Sequence, residues 1–88
     1  MNKMNNIFLN NLPTLDLHGF DRETAVLATR DFILENYVLK NSKLVIIHGI
    51  GEGIVKSAVH KELEKNKKVI SYKVDNFNVG CTIIEIKL

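Results

Sequence analysis

From Thr14 onward Leu15 and Leu17 alternate with Asp16 and His18, the period of two expected of a strand with one covered and one open face. Gly19 and Phe20 turn the chain into Asp21, a good helix N-cap, and the helix it predicts runs from Arg22 to about Leu39. Along it Ala25, Val26, Thr29, Phe32, Ile33 and Tyr37 recur at helical spacing as a core-facing stripe. Leu27, Leu34 and Val38 form a second stripe, read as the flank of the core face or as a partner or homodimer surface. After a turn at Asn41 and Ser42, Leu44 to His48 is continuously apolar up to its histidine, which suits an interior strand. A second helix is predicted from Gly53 or Ile54 to about Asn66, burying Ile54, Val55, Ala58, Val59 and Leu63. Val69–Val74 alternates Ile70, Tyr72 and Val74 against Val69, Ser71 and Lys73; Cys81–Leu88 sets Thr82, Ile84, Ile86 and Leu88 against Ile83, Glu85 and Lys87.

The element order is βαβαββ. Right-handed crossovers advancing in one direction put both helices on one face of the sheet. Polar positions in the first, third and fourth strands leave the other face partly open. The expected fold is therefore an α/β two-layer sandwich with a four-stranded mixed sheet and two helices on one face. Residues 1–13, rich in asparagine and closed by Pro13, read as a flexible N-terminal arm, and residues 14–88 as one domain.

With 88 residues and 45% hydrophobic side chains the chain can build one core. Its single Cys81 excludes an internal disulfide, and no long apolar run or signal-peptide pattern stands in it, so a soluble, cytoplasmic, membrane-free setting is expected. The net charge of +2 is uneven: residues 54–73 hold six lysines against Glu62 and Glu64, a local field suited to a polyanion or to a solvated helix face.

Two apolar runs end in His-Gly, at His18-Gly19 and His48-Gly49. If the first two strands are parallel neighbours, Asp16, His18 and His48 gather at one rim of the sheet, followed there by Gly49, Gly51 and Gly53. A carboxylate beside imidazoles can orient a base, hold a divalent cation with water, or protonate a leaving oxygen. Glycines leading into a helix N-terminus suit a phosphate, with Lys56, Lys61 and Lys65 assisting. Phosphodiester cleavage is the reaction this set suggests, with Asp16, His18 and His48 in catalytic roles. The plainer reading is that Asp16 and His18 bond turn amides and that the glycines only permit chain reversal. The loop lacks the Lys-Ser/Thr of a P-loop and the glycine spacing of a dinucleotide fingerprint. Cys81 is expected in the core, and His60 toward solvent or in weak phosphate contact.

Leu15-Asp16-Leu17-His18-Gly19, the run Ile46-Ile47-His48-Gly49-Ile50-Gly51-Glu52-Gly53-Ile54-Val55-Lys56 and the closing Gly80-Cys81-Thr82-Ile83 together resemble the Smr family, the small MutS-related domain, over residues 14–88. The resemblance implies a fold like the C-terminal domain of translation initiation factor three, with the last strand inserted antiparallel between strands two and three. It implies nucleic-acid binding and, in several members, divalent-metal-assisted endonuclease activity. Asp16 and His18 match the Leu-Asp-x-His motif implicated in cleavage; His48, Gly49, Gly51 and Gly53 match the loop implicated in substrate contact. This chain departs from the family with Ile50 where a cation is common, Glu52 where a small or hydroxyl residue is common, and Lys56 where Arg is common. Each such charge change weakens phosphate affinity by on the order of 1 kcal/mol at close range, and Lys56 restores part of it.

The expected function is a nucleic-acid-binding domain that acts as a metal-assisted endonuclease on branched DNA or structured RNA, using Mg2+ or Mn2+ with Asp16 as the metal ligand. The alternatives are a recognition module for DNA, RNA or the ribosome without catalysis, and a protein-interaction domain. The chain is read as standalone or as part of a larger parent protein.

Overall fold

Asp21 starts the first helix from an extended backbone, its carboxylate accepting the Thr24 amide at 2.8 Å. In the computed structural model, which describes residues 11–88, that helix is α1 (Arg22–Leu39). It ends where Lys40 turns left-handed at φ 64° and donates its amide to the Tyr37 carbonyl at 3.2 Å. The expected core stripe holds at Ala25, Thr29 and Ile33 and fails at Tyr37. One position earlier, Asn36 is buried instead, its amide donating to the Phe32 carbonyl and its side-chain oxygen accepting from Asn41, both at 2.9 Å. Tyr37 stands at the surface with the Lys68 ammonium 4.7 Å from its ring centre.

The remaining elements are β1 (Thr14–Asp16), β2 (Lys43–Ile47), α2 (Ile54–Lys65), β3 (Val69–Val74) and β4 (Cys81–Ile86). The strand order is β1-β2-β4-β3, with β1 parallel to β2 and β4 antiparallel to both its neighbours. The last strand therefore lies inside the sheet, which is why its Ile84 and Ile86 are buried. Leu15 lies opposite Ile46 and Leu44 opposite Ile84, and these face the helices together with Leu17 and Ile86. Ala25 and Ile33 of α1 and Val59 and Leu63 of α2 complete the same core, so both helices cover one face.

Three expectations on the ends and faces are corrected. The alternation in β3 is broken by a register shift between Val69 and Ser71, so Val69 and Tyr72 both pack on the core while Ile70 is exposed. Ile54, expected to be buried, is exposed at the first position of its helix, and Leu88 is exposed past the end of β4. Both His18 and His48 fall just past their strands. The arm expected over residues 1–13 lies outside the described residues for 1–10; Pro13 already accepts the Val45 amide at 2.9 Å.

Across the helix layer Glu62 is buried on α2, and Arg30 of α1 grips both its oxygens, Nη2 to Oε1 at 3.0 Å and Nε to Oε2 at 3.3 Å. Burial alone would raise the Glu62 carboxyl, but the hydrogen bonds from Arg30 and Asn66 and the charges of Arg30 and Lys65 outweigh it and hold the group below its usual range. Among the described residues no helix is long and apolar enough to cross a membrane. Because β1, β2 and β3 run in the same direction, their C-terminal ends and the β3–β4 turn share one edge of the sheet.

Candidate functional site

At that edge β1 delivers Asp16 and His18 to solvent, with Leu17 between them turned into the core. Alternation does this: successive side chains of an extended segment take opposite faces. Asp16 Oδ1 accepts the His18 amide at 2.9 Å, so half of the carboxylate holds the turn. Among the described residues the second carboxylate oxygen and the His18 ring have no hydrogen-bond partner.

Beside them β2 runs out into the glycine loop. The amides of His48 and Gly49 both donate to the Gly80 carbonyl, at 2.9 and 3.0 Å, which ties the loop to the start of β4. Gly49 and Gly53 have φ of 85° and 82°, a left-handed backbone that other residues adopt at a cost. A Cβ built on Gly49, Gly51 or Gly53 meets nothing within 4 Å, so the loop backbone is open to an approaching group. Gly53 is the N-cap of α2, offers no side-chain cap, and no acidic residue stands in the first turn. The first amides of α2 thus have no acceptor among the described residues, whereas in α1 the Thr24 amide is served by the Asp21 carboxylate. Asp16, His18, Gly49, Gly51, Gly53 and Lys56 line a single cleft of about 540 Å³ here.

His48 belongs to this cleft on its inner side. It is only 8% exposed, and both ring nitrogens are engaged: Nδ1 with the Gly49 carbonyl at 2.9 Å and Nε2 with the Thr82 hydroxyl at 2.7 Å. A carbonyl only accepts, so the proton of neutral His48 resides on Nδ1 and Nε2 receives the Thr82 hydroxyl. The Thr82 oxygen in turn accepts from Nε2 of His60, 2.8 Å away. Burial and the nearby Lys56 ammonium lower the His48 pKa against the opposing Gly49 bond; burial, His48 and Lys56 lower that of His60.

His60, expected at solvent or near phosphate, is half-buried in this chain, with the Tyr72 ring 5.0 Å away. The reason is topological: β4, inserted in the sheet, carries Thr82 inward toward α2. A threonine on the buried face of an isoleucine strand is the one sequence signal for it, since a buried hydroxyl needs a partner. Lys61 and Lys65 do not line the loop cleft; they flank an adjoining groove with Arg22 and Glu52, and Lys65 lies 4.0 Å from Glu62 Oε1. Cys81 is buried as expected, its thiol pushed up by burial and by the charges of Asp75 and Asp16. Among the described residues no group of three or more His, Cys, Asp or Glu side chains forms a metal-binding cluster. Asp16 contributes a single carboxylate, which suits a hydrated divalent cation shared with a phosphate and not an all-protein cage.

The family model for the Smr domain matches residues 15–87. The chain belongs to the Smr family. In the MutS2 relatives the matching stretch is a small part of a long protein. The endonuclease MutS2 of Clostridium acetobutylicum is 35% identical over 77 residues, covering 84% of this chain and 10% of that protein. The endonuclease MutS2 of Aquifex aeolicus is 50% identical over 56 residues, 64% of this chain and 7% of that protein. This Smr domain thus spans about a tenth of the length of those relatives. The crystal structure of the Smr domain of Thermus thermophilus MutS2 matches it with a TM-score of 0.85 at 25% identity, over 88% of this chain and 100% of that one. YdaL, a stand-alone small MutS-related protein from Escherichia coli, shares the fold with a TM-score of 0.80 at 21% identity, over 85% of this chain and 64% of its own.

Proposed function

We propose that this Smr domain binds nucleic acid by seating a backbone phosphate in the Gly49–Gly53 loop, and that it cleaves a phosphodiester bond there with the help of Mg2+ or Mn2+. The observation that carries the reading is the uncapped start of α2 opening onto the same cleft as Asp16 and His18. Loop and helix amides hold the phosphate, and Lys56 adds a cation. The free oxygen of Asp16 would hold the cation, and a bound divalent ion supplies stabilisation of charge developing on the phosphoryl oxygens. His18, exposed beside Asp16 with its ring unengaged among the described residues, is placed to move a proton to or from the reacting oxygens. His48, with both nitrogens committed, holds the loop in shape. The name endonuclease on the MutS2 relatives supports the reading.

One observation favours a recognition module without cleavage, on DNA, RNA or a ribosomal surface. Among the described residues no group of three or more metal-ligating side chains forms around Asp16, and Glu52 puts a negative charge into the loop. The two readings separate when labelled branched DNA and structured RNA are incubated with the protein, with Asp16→Ala and with His18→Ala, in Mg2+, Mn2+ or EDTA. Metal-dependent cutting lost in both variants supports the nuclease. Salt-sensitive binding without cutting leaves the recognition module.

A further inference from the structure

Phe77 is the most exposed large hydrophobic side chain among the described residues, at 98%. Single apolar side chains on a surface are ordinary, but this one is held out by a built turn. Asp75 Oδ1 accepts the Phe77 amide at 3.1 Å, Asn78 Oδ1 accepts the Gly80 amide at 3.0 Å, and the Cys81 amide donates to the Asn78 carbonyl at 3.0 Å. The same turn is clamped to the glycine loop, since Gly80 takes the amides of His48 and Gly49 on its carbonyl. A Cβ on Gly80 would lie 3.4 Å from Gly49, so the two loops are packed side by side. Phe77 therefore stands in a turn at the same sheet edge as the phosphate cleft. At the opposite end of that edge Phe20, partly exposed, lines the cleft next to His18. With adjacent strands about 4.8 Å apart, β1 and β3 are separated by roughly 15 Å, within reach of a few nucleotides of one strand.

We propose that Phe77 is a base-stacking residue: when a phosphate sits in the glycine loop, a nearby nucleotide lays its base on the Phe77 ring. The inference rests on the nucleic-acid reading above and adds a residue that contacts a base. A base inside a duplex is covered on both faces by its neighbours, so the residue selects strands with an unpaired base at this point: single strands, junctions, loops or bulges. Phenylalanine has no hydrogen-bonding group, so the preference is for an unpaired base of any identity.

The chain contains no tryptophan, which makes Phe77→Trp a single fluorescent reporter. Binding of a short labelled single strand and of the same strand in blunt duplex is measured for the protein, Phe77→Ala and Phe77→Trp, in DNA and RNA forms, with thermal unfolding as the fold control. Phe77→Ala is expected to lose roughly five- to a hundredfold in single-strand affinity, to leave duplex affinity unchanged and to unfold as the parent does. Phe77→Trp retains binding, and its emission is quenched by the single strand. If the parent binds single strands and Phe77→Ala binds them equally well, the stacking role is overturned while the phosphate site stands. If the parent binds neither form, the nucleic-acid reading falls and this inference with it.

Discussion

The rings of His48 and His60 meet edge to face, with centroids 5.8 Å apart and planes at 84°, and the Thr82 hydroxyl joins their Nε2 atoms. A proton added to either ring places positive charge beside the other ring and beside Lys56. With both pKa values lowered in the fold, the unfolded chain takes up protons first as the pH falls. The stability linked to neutral histidine is present in full above the unfolded value of about 6.5 and is lost as the pH falls from there through the folded values. Urea unfolding across that range is expected to show declining stability on the acid side, and His60→Gln a shallower decline. A decline equally steep in the variant would remove His60 from the account.

Thr82 is the shared partner, so its hydroxyl matters more than its bulk. Thr82→Val leaves both Nε2 atoms unpaired in a part-buried site and is expected to cost about 1–3 kcal/mol. Thr82→Ser, which keeps the hydroxyl, is expected to cost less. Denaturant midpoints at neutral pH check the order; an equal loss in both variants would mean that the methyl packing, and not the hydrogen bonds, sets the stability.

Much of this architecture is legible in the chain, and the exceptions have physical causes. The span of α1 follows from Asp21 at one end and the apolar spacing up to Leu39. Its last inward position is held by Asn36, whose side chain bonds the Phe32 carbonyl and the Asn41 amide, contacts that the apolar spacing does not reveal. The face of β3 was hidden because one irregularity between Val69 and Ser71 reverses the parity. In the site, the meeting of Asp16, His18, His48 and the glycines at one rim follows from the parallel pair, while parity turns His48 to the helix-covered side and Asp16 and His18 to the open one. The bond from Thr82 to His60 does not, since it depends on β4 entering the sheet between β2 and β3.

The start of α2 depends on Gly53 holding φ at 82°. Gly53→Ala finds open space for its Cβ but not a relaxed backbone, and is expected to cost about 1–2 kcal/mol. If the loop seats a phosphate, the variant also loses nucleic-acid affinity at temperatures where it remains folded. Unchanged affinity in the folded variant would argue that ligand does not reach these amides.

Arg30 and Glu62 give a second acid-sensitive contact, between the helices. The Glu62 carboxyl is depressed in the fold, so its contribution is present above the unfolded value of about 4.3 and is lost as the pH falls through the folded value. Arg30→Ala is expected to lower the unfolding temperature at neutral pH and to lose most of that effect once Glu62 is protonated. A constant difference across pH would assign the loss to packing of the arginine stem.

In the proposed function the Gly49–Gly53 loop and the start of α2 receive a backbone phosphate. Amide chemical shifts of isotopically labelled protein, followed while a short single-stranded oligonucleotide is added, test it most directly. The largest changes are expected on Gly49 to Lys56 and on His18, weakening with added salt, with the outer face of α1 at Leu27, Leu34 and Val38 unmoved. Changes confined to that α1 face, or saturable binding with no change in the loop amides, would contradict it.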